Sequence, residues 1–208
     1  MKLENFENIP FSVGLLDTVY PDHHAIVAKA KRLEEQGKII RLKRGLYVVS
    51  ASESHRRLNE FLIANHIYNP SYISRQSALR YYGLIPERVY EITSMTMKHT
   101  KSYTNALGNF SYLHCPLEYY IVGLRTERED NVNFLIASPE KALCDLIIYT
   151  PNINLRYKTE IVRYFEEDLR FDMNRLKELR TDIIEECMKK GRKKKMIAKL
   201  INLIEDER

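Results

Sequence analysis

Tryptophan is absent from this sequence, and glycine and proline occur only seven times each in 208 residues. The scattered glycines form neither G-x-x-x-x-G-K-S/T nor G-x-G-x-x-G, so no phosphate-cradling loop or nucleotide cofactor is indicated. Three cysteines, Cys115, Cys144 and Cys187, stand far apart without a C-x-x-C pair. That spacing supports neither a zinc site nor a disulfide framework, and buried thiols in a reducing compartment are expected. No run reaches the ~18 apolar residues that a membrane-spanning helix needs. The opening "MKLENFENIPFS" is acidic and has no apolar signal-peptide core, so a cytoplasmic protein is expected. Internal repeats and low-complexity tracts are also missing.

What is there is a chain with enough apolar residues, 44%, to bury a core, and long enough for one large or two small domains. The net charge of +5 permits a nucleic-acid partner without requiring one. Its distribution says more. Lysine and arginine gather between Lys29 and Arg44 and again between Lys189 and Lys195.

Three blocks can be read. In the first, residues 1–51, "PFSVGLLDTVY" reads as a short helix with Val13, Leu16 and Val19 in step. A second helix, "HHAIVAKAKRLEEQ", follows Pro21 and stops at Gly37. "KIIRL" and "LYVVS" then read as paired strands around "KRG". In the second block, 52–149, "SHRRLNEFLIANHIY" and "RQSALRYYGL" read as helices. "RVYEITSMT", "HTKSYT", "NFSYLHC", "EYYIVGL" and "NFLIA" read as strands. "SPEKALCDLIIY" closes the block as a helix, with Ser138 as N-cap and Pro139 at the first position. The third block, 150–208, is helical, with Gly191 dividing its last pattern. The fold expected is α+β. An N-terminal winged helix-turn-helix domain precedes an α+β domain, which has a small, mostly antiparallel sheet and a C-terminal helical segment.

The order helix, helix, basic hairpin points to duplex DNA. With Leu33 at the centre of the packed side, Ile26 and Ala30 fall near it. His24, Ala28, Lys31 and Arg32 then face outward, slim and basic enough for the major groove. Lys38, Arg41, Lys43 and Arg44 would place the hairpin against phosphates as a wing. The alternative is a solvated basic face, which is what such charges usually make.

Beyond this block, "GKIIRLKRGLYVVS", "PSYISRQSALRYYGLIPERVYEIT" and "FLIASPEKALCDLIIY" occur in an order and spacing that resemble the AbiEi family of antitoxins. The resemblance covers roughly residues 9–204. It implies a bacterial or archaeal repressor that binds inverted repeats in its own promoter. It also implies a second domain that counters a nucleotidyltransferase toxin, without a stable complex being required. On DNA the chain is expected as a monomer or weak dimer, with no membrane partner.

Searching for chemistry yields no catalytic constellation, no metal site and no cofactor motif, and a non-enzymatic protein is expected. His23 and His24 face different sides of their helix, and His99 with His114 reads as cross-strand packing. Tyr81–Tyr82 and Tyr119–Tyr120 could stack on bases but read better as core and rim. Glu140, Lys141 and Asp145 are the best residues for a rival enzymatic reading, on nucleic acid or on the toxin. The structural reading is better: Ser138, Pro139 and Glu140 start a helix, and Ala142, Leu143, Leu146 and Ile147 make its buried face. Lys141 and Asp145 form an i, i+4 pair, which the resemblance to the family also allows as a partner surface. Lys193, Lys194 and Lys195 also suit a partner surface, and their basic run reads as a solvated helix end, a second contact to DNA backbone, or a contact to an acidic toxin or RNA. A DNA-binding regulator without a toxin is the other alternative.

Overall fold

The computed structural model describes residues 2–21, 25–86 and 90–208, and all structural statements concern those residues. His23 and His24 lie outside them.

The first fifty residues form a three-stranded antiparallel sheet with helical segments on one side. A 3-10 turn at Leu3–Phe6 leads into β1 (Phe11–Ser12), and a second 3-10 segment occupies Val13–Thr18. Then come α1 (Ile26–Glu35), β2 (Ile39–Lys43) and β3 (Leu46–Val49), in the sheet order β1–β3–β2. The helix expected across 10–20 is therefore a short strand followed by a 3-10 segment. Phe11 explains the difference: it pairs with Tyr47 in register and its ring stacks on Phe6 at 4.4 Å, which draws the backbone out to the sheet. Gly37 ends α1 with φ +70°, and Gly45 turns the hairpin with φ +77°, conformations costly to other residues.

The hairpin is buried on both faces. Ile39, Tyr47 and Val49 join Leu3, Phe11, Leu16, Ala30 and Leu33 in one apolar cluster. Leu42 and Val48, with alternate parity, belong instead to the large core of the remaining chain. Asn105 Nδ2 donates to Leu42 O (3.1 Å), and Asn8 Nδ2 donates to Arg57 O (3.0 Å). The hairpin is thus the floor on which the two parts of the chain meet.

The single helix expected across 54–68 is broken. α2 (Ala51–Ser54) ends at His55, which has φ 53°, and α3 (Glu60–Ile67) starts afresh under the Asn59 cap, whose Oδ1 accepts from Leu62 N–H at 2.9 Å. There follow β4 (Ser71–Ile73), α4 (Arg75–Tyr81), β5 (Glu91–Thr96), β6 (Lys101–Asn105), β7 (Gly108–His114), α5 (Leu117–Tyr120), β8 (Leu124–Glu129) and β9 (Val132–Ala137). They build a six-stranded sheet in the order β6–β7–β5–β4–β9–β8.

This sheet is larger than expected and mixed, with antiparallel pairing still in the majority. β5–β7 and β4–β9 pair parallel, and the other three pairings are antiparallel. Apolar alternation reports which residues face a core, not the direction of the neighbour, so polarity was hidden from the sequence. "EYYIVGL" is not a strand either. Tyr119 and Tyr120 are both buried in α5, which a period of two does not allow on a one-sided sheet. The strand beside it is the charged "LRTERE" of β8, an edge whose exposed charges discourage pairing with other chains.

α6 (Pro139–Tyr149) is buried from Glu140 to Ile148. α8 (Thr181–Lys190) packs on it, α9 (Lys194–Asp206) packs on α8, and α7 (Lys158–Arg163) and a 3-10 segment at Met173–Glu178 pack on α9 in the same apolar core. Gly191 separates α8 from α9, as expected. A Cβ there would lie 2.5 Å from Cys187 O and 2.9 Å from the Tyr119 ring. Among the described residues no helix is long and apolar enough to cross a membrane.

Candidate nucleic-acid interface and the buried Lys141–Asp145 network

α1 turns Ala30 and Leu33 to the core and leaves Val27, Ala28, Lys31, Arg32 and Glu35 exposed. Ala28, Lys31 and Arg32 therefore stand together on the outer face, as the helical spacing predicts. Lys31 is held only loosely, its Nζ 3.8 Å from Glu35 in an exposed i, i+4 pair. Val27, 68% exposed, shares this face. The sequence offered no charge or polarity at Val27 to mark it as part of that face.

The hairpin cations divide. Arg44, at the tip, is exposed. Arg41 Nη2 donates to Glu34 Oε2 at 2.6 Å, with its guanidinium over the Tyr47 ring. Lys38 Nζ donates to Glu53 Oε1 at 3.1 Å. Lys43 turns inward: its Nζ donates to Ile67 O at 2.6 Å, at the C-terminal end of α3. A cation there satisfies an otherwise orphaned carbonyl and meets the negative end of the helix dipole. Burial, followed by the like charges of Lys98 and Lys101, lowers the Lys43 pKa. Lys43 is a fastener between the two parts of the chain rather than a free phosphate contact.

The second basic run divides in the same way. Lys193 Nζ donates to Ile147 O (2.9 Å), Thr150 O (2.9 Å) and Ile153 O (3.3 Å). It closes the C-terminus of α6, and burial lowers its pKa. Lys194 and Lys195 remain exposed at the start of α9. A cleft of about 510 Å³ passes them, lined also by Arg156 and Lys199.

Lys141 and Asp145 are not a surface. Both side chains are wholly buried, with Lys141 Nζ 3.3 Å from Asp145 Oδ1. Asp145 Oδ2 accepts from Ser74 Oγ (2.6 Å) and Tyr72 OH (3.0 Å), and its Oδ1 accepts from Tyr119 OH (2.7 Å). Lys141 Nζ also donates to Tyr119 O (2.9 Å) and lies 3.0 Å from the Tyr119 ring centroid. Desolvation first, then the Asp145 charge, raises the pKa of Tyr72 and Tyr119 well above the usual phenol range, so both stay protonated donors. Buried charges require this completeness of pairing.

Glu140 is buried too, its Oε1 accepting from Arg180 N–H at 3.0 Å. The three residues considered for catalysis are thus enclosed, Lys141 and Asp145 wholly and Glu140 to within 3% exposure, which leaves them little to offer a macromolecule. Lys141 and Asp145 were expected as a partner surface, but the fold covers this face of α6.

Tyr81 and Tyr82 are half-buried, and Tyr82 OH donates to Glu127 Oε1 at 3.3 Å. Asn65 was missed as a link: it accepts from Leu135 N–H (2.7 Å) and donates to Leu135 O and Ser71 O. His114 Nδ1 faces the Met97 and Lys98 carbonyls. Among the described residues no three His, Cys, Asp or Glu side chains converge as metal ligands. A cleft of about 590 Å³ at the start of α3 carries Arg57 and Arg80 beside Glu60, Glu129 and Asp130, a mixture that favours no single charge of ligand.

No protein-family model matches the chain, and no curated protein is similar to it.

Proposed function

We propose that this chain is a DNA-binding repressor that reads duplex DNA through α1 of an N-terminal winged helix. The observation that carries this reading is the exposed face of α1, where Ala28, Lys31 and Arg32 stand clear of the core. The element order supports it: a helical turn, β1, a second helical turn, α1 and a hairpin, with β1–β3–β2 pairing, is compatible with a winged helix. Lys31 and Arg32 enter or flank the major groove, and Arg44 lies at the hairpin tip within reach of phosphate. A two-fold operator would engage two copies, with their reading helices about 34 Å apart.

The antitoxin role, against a nucleotidyltransferase toxin, rests on the AbiEi resemblance. Two of the stretches that carry it meet in space: Tyr72 and Ser74 of "PSYIS" bond to Asp145 of "SPEKALCDL". These motifs hold the second part of the fold together. The surface that counters a toxin has to be sought elsewhere.

The test is a mobility shift with the full chain and the duplex upstream of its own reading frame. Truncation after residue 51 is unsuitable, because Leu42 and Val48 belong to the larger core. Lys31→Ala with Arg32→Ala should weaken the complex and reduce its log–log salt slope by about two. An unchanged complex at ~150 mM salt removes α1 from the mechanism. Growth rescue on co-expression with a neighbouring nucleotidyltransferase tests the antitoxin role separately.

A further inference from the structure

We infer that Val27 is a specificity-determining residue that reads the 5-methyl group of a thymine. The inference rests on the proposed approach of α1 to the major groove. Val27 sits in the first turn of α1 and is 68% exposed, at the edge of the outer face, about 60° round the helix from buried Ala30 and about 120° from buried Leu33. Lone exposed apolar residues are common and carry no message by themselves. The surroundings of this one do. Val27 and Lys31 lie one turn apart on one ridge of the helix, and Ala28 and Arg32 on the next, all exposed. Each ridge starts apolar and ends in a cation. The charge of Lys31, Arg32 and Arg44 suits a polyanion, and the first turn of a reading helix is the part that meets base edges.

The thymine methyl is the apolar group that base edges present in the major groove. Ala28 beside Val27 is small enough to let the backbone approach. A valine in a helix holds one side-chain rotamer in ~90% of cases, so its methyls are aimed before contact and little freedom is lost on binding. Serine or lysine at this position would leave the thymine methyl in water.

The experiment starts from a random duplex pool selected with the full-length protein. The selected duplex is then remade with uracil for thymine, one position at a time; an A·U pair differs from A·T by the methyl alone. For the native chain, one position in the half-site should lose affinity about fourfold, the weight of one buried methyl group. Val27→Ser should bind without that loss at the same position. The uracil arm uses the native chain and does not depend on the variant's folding. Equal affinity for uracil and thymine at every position overturns the role of Val27 and leaves the DNA reading standing. An equal uracil loss in Val27→Ser also overturns it, since another group then reads the methyl. A pool that yields no preferred sequence overturns both readings.

Discussion

Lys141 and Asp145 face each other one turn apart on α6, with 3.3 Å between Nζ and Oδ1 and neither side chain exposed to solvent. Three hydroxyls, from Tyr72, Ser74 and Tyr119, complete the carboxylate's shell. The pair ties β4 and α5 to the central helix. Asp145→Ala should lower stability by about 3–5 kcal/mol, because it strands a buried ammonium. Joining it to Lys141→Met should restore part of the loss, since no unpaired charge remains. Urea midpoints of the two single variants and the double variant measure this, and a purely additive double variant would show that the pair is not coupled.

Alkaline pH should destabilise the fold. Burial, then the Asp145 charge, pushes the Cys115 thiol up to about 12, and burial pushes the Tyr120 phenol up to about 12. Unfolded, these groups release protons near ~8.5 and ~10. Between those values and about 12 the native state holds more protons than the unfolded state, so stability falls as pH rises. The slope approaches ~1.4 kcal/mol per pH unit for each group. Thermal midpoints between pH 8.5 and 10.5 should decline, and decline less steeply in Cys115→Ala.

Lys43 and Arg44 are neighbours with separate duties. Lys43→Ala removes the ammonium from Ile67 O and should cost about 1–2 kcal/mol of stability. Arg44→Ala should leave stability within ~0.5 kcal/mol of the native chain. On the proposed reading it also lowers the salt slope of DNA binding by about one. Melting curves and salt titrations of the two variants separate the effects. An unmoved melting curve for Lys43→Ala would deny the fastening role.

A similar division is expected in the second basic run. Lys193→Met leaves three carbonyls at the end of α6 without their ammonium and should cost about 1–3 kcal/mol. Lys194→Ala with Lys195→Ala should change stability by less than ~0.5 kcal/mol. Amide exchange near Thr150 should quicken in the first variant and stay unchanged in the second.

Most of what was legible in the sequence is local. Ser138 caps α6, its Oγ accepting from Lys141 N–H, because cap and helix are three residues apart. Gly37 and Gly45 mark the end of α1 and the turn of the hairpin by their own conformational freedom. The outward face of α1 follows from the helical period, and so does the division at Gly191. Tertiary structure decided the rest. Lys43 becomes a helix cap only because Ile67, 24 residues on, is brought beside it. Asp145 becomes a buried anchor through Tyr72, 73 residues away. Polarity in the large sheet depends on pairings between residues 18 apart (Glu91 with Asn109) and 63 apart (Ile73 with Ile136). A lysine or aspartate has one spacing in a sequence and several possible environments, and whether it meets water, a carbonyl or a counter-charge is determined by the packing of segments far from its own. Thus Ala28, Lys31, Arg32 and Arg44 keep the exposure their spacing implied, while Lys43, Lys141, Asp145 and Lys193 are turned inward by the fold.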